Sequence, residues 1–466
     1  MKKHLSALCM VCLGLISLSV NAQNKYLADE FVTNSGSNKY TVVGDVSDGL
    51  SSPVDLDFNK TDLTELWVIN MRTETMGGNT VTYRNAGKSN QEAFLKTDGN
   101  ARHFMSLPTA LAFGDKGDWA NSPGVLDANF SGGQRAPFTG PSLWSSDFTI
   151  YAQWAGPGTN GSHLDMLHGS PRSMGIAWEV GNKYWLFDGE NGHLVSYDFV
   201  IDHGPGNSNH DDGRLRRYQE IELKRNGLIP GHMEIDPERK WLYINDIGNS
   251  RIIRVDITSG NVKGSSSIPP REALAENNDI INMKWEVVAS TGLKKPCGLD
   301  VDRNRLIVTD NETDEIIVYD ITKNDGTFPE IGRISVPYID IMGIKLDQEG
   351  KIWFVDKSAK VVIRIDNDNA IKKVKSDGSI VSVKQAGEKQ LISFFPNPAN
   401  EVLNFNGLNS NVELVIHDIA GRIALENFDL TPGNSRVDIS TLTEGMYVVT
   451  LKENGAVVYQ NKLIKR

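Results

Sequence analysis

Cysteine is scarce in this sequence, which has three among its 466 residues. Two of them, Cys9 and Cys12, lie in the N-terminal apolar run described below, so a processed chain keeps only Cys297. A single cysteine forms no internal disulfide. A chain of this length does not depend on one, because it can bury a core large enough to stabilise the fold.

Basic residues are fewer than acidic ones. The chain has 48 Lys and Arg against 59 Asp and Glu, for a formal net charge of −11. Proteins that bind nucleic acid usually carry a basic face that attracts the phosphates. The acidic balance and the scattered basic residues therefore argue against that class of function.

Long apolar runs are missing after the N terminus. The chain starts with lysines at 2–3, continues with an apolar run from Leu5 to Val20, and reaches small residues that end at Ala22. This order is typical of a secretory signal peptide, and the run is short for a membrane span. The cysteines of the run follow Leu and Val, which excludes lipoprotein processing. We predict a signal peptide at 1–22 and no transmembrane segment.

A repeated pattern of short strands occupies the middle of the chain. Each copy has an apolar alternation, a polar turn, a stronger apolar run that ends in Asp, a second turn and a third β-rich run. Alternation with a period of two indicates strands rather than helices. The four clearest copies are 174–198, 231–256, 297–320 and 342–366. Weaker copies at 52–84 and 107–122 bring the units to six.

Each unit is a strand meander with two faces to bury, and radial stacking of six such sheets buries them and protects most edges. The copy CGLDVDRNRLIVTDNETDEIIVYD is similar to the blades of NHL-repeat β-propellers. This resemblance implies an all-β, six-bladed propeller, which we place at 23–385. A closed ring needs a closing strand, from either KYTVVGDV at 39–46 or GSIVSV at 378–383.

The last segment, 392–466, differs from the repeats and follows a polar linker that we place at 386–391. Its alternating strands and Gly-bearing turns predict a small antiparallel β-sandwich. Its motifs are Phe395–Pro398, Asp418–Arg422, Leu442 with Gly445–Tyr447, and the terminal Lys462–Arg466. Together they resemble the C-terminal sorting domain of the type IX secretion system of Bacteroidota. The resemblance implies that this machinery exports the protein, which is then secreted or attached to the outer cell surface. An Ig-like adhesion module is the alternative.

The propeller topology brings distant residues to one mouth, where the second strand of each blade ends. Four of these strands end in aspartates that we predict to form a ligand-binding rim: Asp188, Asp246, Asp310 and Asp356. Aspartates in such turns also accept hydrogen bonds from backbone N–H groups. A structural role at the turns is therefore the alternative to a role in binding.

The segment SHLDMLHGSPRS at 162–173 leads into the same mouth. It supplies His163 and His168, and Arg172 is a candidate catalytic residue. His232 stands where sister repeats have Gly. Imidazole with carboxylate suits zinc or another divalent transition metal, whereas oxygen ligands suit calcium. We therefore treat the three histidines as candidate ligands of a divalent metal, zinc or calcium, with a strand-end hydrogen bond as the alternative for His232.

A second group of polar residues lies in DHGPGNSNHDDGR at 202–214. Its members, which could hold a cation, are Asp202, His203, His210, Asp211 and Asp212. The glycines and asparagines predict an exposed loop between the third and fourth strands of a blade, on the face opposite His168. If the loop instead folds over the rim, His203 and His210 join the first group.

Two further features have structural interpretations. Cys297 has no evident base beside it, so we expect a small buried thiol rather than a nucleophile. Arg214, Arg216 and Arg217 are close together, and we expect them to protect an outer edge strand.

Two classes of function remain. The sequence has no Gly-Lys-Ser/Thr phosphate loop, no His-Glu-x-x-His and no Gly-x-Ser-x-Gly, and these are common signatures of catalysis. This favours a secreted propeller that binds an extracellular protein, glycan or small molecule at the channel mouth. The alternative is a metal-dependent lyase or hydrolase. Here the chain is similar to peptidyl-hydroxyglycine lyases, and that resemblance implies roles for His168, His232 and Arg172. Propeller lactonases, which use calcium, are a second precedent.

Overall fold

The computed structural model describes most of the chain after the predicted signal peptide. It covers 27–129, 137–153, 160–207, 209–323, 325–367, 372–374, 380–382 and 392–466, apart from 407, 409, 419–421, 433 and 454–455. The predicted signal peptide and linker lie outside these residues. Within them, no helix combines the length and the apolar character that a membrane span requires.

Helices are short and few in the described part of the chain. Helix α1 spans Leu27–Thr33, α2 spans Ala101–Phe104, and 3-10 turns occupy Ser35–Ser37, Val46–Asp48 and Ile247–Asn249. The remaining regular structure is β-strand, as the period-two alternation predicted.

Six successive sheets follow the six repeats, and we call them blades 1 to 6. Strand β1 (Asn38–Gly44) belongs to blade 6. Blades 1 to 3 are built from β2 (Pro53–Phe58), β3 (Leu66–Thr73), β4 (Gly77–Arg84), β5 (Glu92–Lys96), β6 (Pro108–Phe113), β7 (Trp119–Pro123), β8 (Ser142–Trp144), β9 (Asp165–Met166), β10 (Ile176–Val180), β11 (Lys183–Asp188), β12 (His193–Asp198) and β13 (Arg214–Tyr218).

Blades 4 to 6 continue the pattern, with a hairpin inserted in blade 4. Their strands are β14 (Met233–Asp236), β15 (Trp241–Asp246), β16 (Arg251–Asp256), the inserted β17 (Asn261–Ser265) and β18 (Glu276–Ile281), then β19 (Trp285–Ala289), β20 (Pro296–Asp302), β21 (Arg305–Asp310), β22 (Glu315–Asp320), β23 (Glu330–Ser335), β24 (Ile341–Leu346), β25 (Ile352–Asp356) and β26 (Val361–Asn367).

The blades close into a ring. The innermost strands β2, β6, β10, β14, β20 and β24 each contact the next, and β24 contacts β2 again. Apolar side chains fill the space between neighbouring blades: Trp185 and Phe187 of β11, for example, share one buried cluster with Leu242 and Ile244 of β15. The propeller fold predicted from the repeat is confirmed.

The N-terminal segment supplies the closing strand. Strand β1 pairs antiparallel with β26, with Asn38 opposite Asn367 and Tyr40 opposite Ile365. The later candidate instead forms a separate hairpin, in which β28 (Ile380–Ser382) pairs with β27 (Lys372–Val374). Blade 6 therefore joins the first strand of the ring to its last three.

The inserted hairpin changes the role of β13. Strand β18 pairs with it in parallel, with Arg214 opposite Glu276 and Tyr218 opposite Ile280. The edge strand expected at this position is thus an interior strand of a six-stranded sheet. Arg217 lies within it and is 2% exposed.

The C-terminal segment is an antiparallel β-sandwich, as predicted. Its strands are β29 (Ser393–Phe395), β30 (Val402–Asn406), β31 (Val412–Asp418), β32 (Ile423–Leu430), β33 (Arg436–Asp438), β34 (Gly445–Glu453) and β35 (Ala456–Lys465). They form sheets of three and four strands. One core joins the sheets, with Leu403 and Val437 on one side and Leu414 and Leu451 on the other.

Candidate functional site

Charged side chains occupy the space between the innermost strands. The Lys345 ammonium on β24 contacts Glu234 and lies 3.5 Å from Asp300 Oδ1 and 4.0 Å from Asp57 Oδ1. Although burial opposes it, the attraction of these carboxylates holds the pKa of Lys345 well above its ordinary value. A lysine of this chain therefore supplies the positive charge that buried carboxylates at the centre of the ring require.

His232 lies in this inner region, immediately before β14. Its Nε2 is 3.0 Å from the carbonyl oxygen of Thr109, to which it donates, and its Nδ1 is 3.4 Å from Asp55 Oδ1. Burial lowers the pKa of His232 to about 4, so the ring is neutral at pH 7. His232 therefore makes the strand-end hydrogen bond that was the alternative to a metal-binding role. It does not line the pocket described next.

The rim aspartates lie where the second strands of four blades end, and their side chains are fully buried. Each accepts a backbone N–H bond: Asp188 from Asn191, Asp246 from Lys224, Asp310 from Lys294 and Asp356 from Ala359. Asp188 also accepts from the Arg217 guanidinium at 2.6 Å. These bonds are the ones that a structural role at the turns requires.

His163 and His168 line a cavity of about 440 Å³ on the outer side of blade 2. Two histidines from other segments, His103 and His210, line it with them. Further side chains of the wall are Asn100, Arg102, Phe104, Ala128, Asn129, Phe138, Asn160 and Met166. None of these residues belongs to an innermost strand. We call the cavity the histidine pocket.

The local chain path explains why the two predicted histidines meet there. Strand β9 has only two residues, paired with β8, so the chain turns away on both sides of it. Gly161 and Gly169 take positive φ values of 75° and 121°, which glycine adopts without strain. Asp98 accepts hydrogen bonds from the Ser162 backbone N–H and hydroxyl at 2.8 and 2.6 Å. These bonds tie the segment to the chain between blades 1 and 2.

His168 has one satisfied ring nitrogen and one unsatisfied one. Its Nδ1 bonds to the carboxylate of Glu272, which also accepts the His168 backbone N–H at 3.0 Å. Its ring packs on Phe138, with centroids 3.5 Å apart. Burial lowers the pKa of His168. In the neutral form Nδ1 carries the proton, and Nε2 is a buried acceptor without a partner among the described residues.

His163 and His103 are neutral for the same physical reason. Burial lowers the pKa of each to about 4. The His163 ring stacks on Phe104 at a centroid distance of 3.8 Å, and its Nδ1 is 2.9 Å from the carbonyl oxygen of Asn160. His103 and His163 therefore present uncharged imidazoles to the pocket at pH 7.

The loop between β12 and β13 also reaches this pocket. The Gly206 backbone N–H donates to the His163 carbonyl oxygen at 2.8 Å, and the His210 ring lies 6.0 Å from the His168 ring between centroids. The expectation that the loop lies on the face opposite His168 is wrong. The short β9 leaves residues 160–168 beside the loop of the next blade, which is the folded-over arrangement considered as the alternative.

The other candidate residues lie outside the pocket wall. Arg172 pairs with Glu190, with Nε 3.3 Å from the carboxylate. Cys297 is buried with its sulfur 3.6 Å from the sulfur of Met342. Burial raises the pKa of its thiol well above the ordinary value, which removes nucleophilic character.

Sequence reasoning missed His103 and Glu272. Glu272 lies in the inserted hairpin, 104 residues from His168, and His103 lies in a four-residue helix. Each is a single polar residue without a motif, so the sequence carries no local signal for either.

Comparison with known proteins identifies the C-terminal segment. Residues 393–466 match the family model described as the secretion system C-terminal sorting domain. The tail is a sorting domain. The sorting domain indicates interaction with the secretion machinery and export to the cell surface or secretion, as the motifs implied. The signal peptide at 1–22 stays a prediction.

Much of the chain is similar in fold to solved structures. One is an auxiliary nutrient binding protein from Bacteroides ovatus, 13% identical with a TM-score of 0.44 over 71% of this chain and 76% of that one. Another is PorZ, a surface component of the type-IX secretion system of Porphyromonas gingivalis, 13% identical with a TM-score of 0.35 over 86% and 58%. A third is the calcium-binding protein regucalcin from Agrobacterium tumefaciens, 14% identical with a TM-score of 0.42 over 70% and 92%. No curated protein sequence matches the chain significantly.

Proposed function

We propose that this cell-surface or secreted propeller binds an extracellular glycan, and that one or two terminal sugar units occupy the histidine pocket. The observation that carries the proposal is the wall of the pocket, with four imidazoles, three carboxamides and two phenyl rings around about 440 Å³. Cavities that bind small organic ligands have volumes of about 300–1,000 Å³.

The chemistry of the wall suits a ligand rich in hydroxyl groups. A neutral imidazole has one donor and one acceptor nitrogen, and a carboxamide has both kinds of group, so each can pair with a hydroxyl in either direction. Asn100, Asn129 and Asn160 supply the carboxamides, and Phe104 and Phe138 supply apolar surface.

The charge of the wall favours a neutral sugar over a charged one. His103 and His163 stay uncharged at the pH of most extracellular fluids, because burial lowers their pKa values to about 4. Arg102 is the one lysine or arginine among the described residues of the wall. Protonation of these two rings should therefore not change the affinity for the glycan between about pH 6 and pH 8.

The metal-dependent enzyme is less well supported by this geometry. That hypothesis requires His168, His232 and Arg172 to act on one substrate. His168 lines the histidine pocket, whereas His232 bonds to Thr109 near the centre of the ring and Arg172 pairs with Glu190.

A glycan array probed with the full processed chain tests the proposal. For any glycan that binds, calorimetry then compares the wild type with Asn129→Ala. Asn129 is exposed at the wall, so its loss should leave the fold intact. We expect at least a tenfold weaker Kd, equal to about 1.4 kcal/mol, which is the scale of one hydrogen bond to a ligand.

The matched control is Asn191→Ala, at the turn of the rim residue Asp188. It should leave Kd unchanged. A loss of affinity in Asn191→Ala but not in Asn129→Ala would move the binding site to the rim of the channel. Absence of any binding glycan would contradict the proposal itself.

A further inference from the structure

Three potential metal ligands meet beside the histidine pocket. Asp165, His203 and Asp212 each offer one ligand atom, and these atoms all lie within 4.8 Å of one another. His203 Nε2 is 2.7 Å from Asp212 Oδ1. Asp165 belongs to β9 of blade 2, whereas the other two belong to the β12–β13 loop of blade 3. The group therefore exists only because the loop folds against β9.

The carboxylate of Asp165 is incompletely satisfied. Its side chain is fully buried, and its Oδ1 accepts from the Met166 backbone N–H and the His210 ring, each at 2.6 Å. Its Oδ2 has no hydrogen-bond partner among the described residues. A buried carboxylate oxygen without a donor costs about 1–3 kcal/mol or more, and a cation beside this oxygen would remove that cost.

We propose that Asp165, His203 and Asp212 bind one divalent transition-metal ion of the zinc class. One imidazole and two carboxylates form a donor set that suits zinc, whereas calcium takes six to eight oxygens. With metal–ligand distances of about 2.0–2.1 Å, the ligand atoms of a tetrahedral site lie about 3.3 Å apart. The 2.7 Å contact and the 4.8 Å limit bracket this value, so small side-chain movements complete the site.

Neighbouring groups hold two of the ligands in place. His210 bonds to Asp165 Oδ1, and the Ile201 backbone N–H bonds to Asp212 Oδ2 at 3.2 Å. Hydrogen bonds of this kind orient metal-binding carboxylates, so His210 is a positioning residue. The His203 and Asp212 side chains are 16% and 26% exposed. Solvent thus reaches the site, and water completes the coordination.

Metal binding at this site releases a proton. The hydrogen bond between His203 Nε2 and Asp212 carries a proton that the metal must replace, because only the neutral imidazole is a ligand.

Zinc titration of the full processed chain tests the inference. After chelator treatment and its removal, calorimetry with zinc chloride should give one site per chain, and elemental analysis should recover one zinc. Calcium should bind at least 100-fold more weakly. His203→Ala and Asp212→Asn should each weaken zinc binding at least 30-fold. Both residues lie in a loop that is partly exposed, so tryptophan fluorescence should show that the variants still fold.

Asp211→Asn is the matched control, since Asp211 is the exposed neighbour of Asp212 in the same loop. It should bind zinc like the wild type. The inference is overturned if no stoichiometric zinc binds, or if Asp211→Asn and Asp212→Asn weaken binding equally. It does not depend on the glycan: Asn129→Ala should bind zinc normally, so a failure of the glycan proposal and a failure of the metal site give different results.

Discussion

Replacing His163 with Asn should make the propeller less sensitive to acid. The His163 ring is 1% exposed and stacks on Phe104, and burial lowers its pKa to about 4. Its Nδ1 bonds to the carbonyl oxygen of Asn160. Asparagine keeps a donor near that position and does not titrate, so the substitution removes the proton equilibrium while it preserves the hydrogen bond.

The magnitude follows from the two pKa values. An unfolded histidine has a pKa of about 6.5, against about 4 for His163 in the fold. Between these values the unfolded chain binds a proton that the folded chain does not. The free energy of unfolding therefore falls as the pH falls through this window. At about pH 5, some 1.5 pH units below the unfolded value, the loss from this residue is about 2 kcal/mol.

Denaturant titrations at about pH 7 and pH 5 measure this loss. All nine tryptophans lie between Trp67 and Trp353, so their fluorescence reports the propeller and not the sorting domain. The wild type should lose about 2 kcal/mol more than His163→Asn between the two pH values. Met166→Leu, a substitution in the same pocket that does not titrate, should change stability equally at both.

The reasoning is refuted if His163→Asn and the wild type lose the same free energy between the two pH values. The ring would then bind its proton as readily in the fold as in the unfolded chain. The neutral His163 ring on which the glycan proposal depends would be excluded with it.

Three other substitutions or deletions have defined outcomes. Arg217→Met leaves Asp188 buried without its 2.6 Å partner, so the free energy of unfolding should fall by about 3–5 kcal/mol in denaturant titration, and adding Asp188→Asn should restore part of it. Lys345→Met should destabilise the ring by a similar amount at pH 7. Its effect should shrink as the pH falls, because burial raises the pKa of Asp300 to about 7 and protonation then removes the unpaired charge. Deleting 393–466 should abolish surface labelling and secretion, while the tryptophan unfolding transition stays unchanged.

The ring could be predicted from the sequence because each blade is encoded by a pattern within one short segment. Each of the four clearest repeats carries its own alternation, turns and Asp-terminated second strand, and those strands are β11, β15, β21 and β25 in the structure. The sequence does not decide between the two candidates for the closing strand, because both have strand patterns. The choice depends on a pairing between Asn38 and Asn367, and no local pattern reveals a partner so far away.

The histidine pocket was only partly predictable. His163 and His168 stand out in one short segment, but their neighbours Glu272 and His210 come from an inserted hairpin and a loop of the next blade. The deciding feature is the length of β9, at two residues. A strand that short has no periodicity to detect, so the sequence does not reveal that the β12–β13 loop lies beside His168.

Because the first strand closes the ring, it must remain unpaired during synthesis until its partner strand has been made. Among the described residues, strand β1 pairs with β26 alone, at Val362–Asn367, so it emerges long before its partner. At about 5–20 residues per second, that delay is roughly 15–65 s. During this delay the nascent β-strand has no sheet to join, and unpaired strands can pair with other chains and aggregate. A circular permutant that carries this strand directly after Asn367 would shorten the delay and should give less aggregate when expressed.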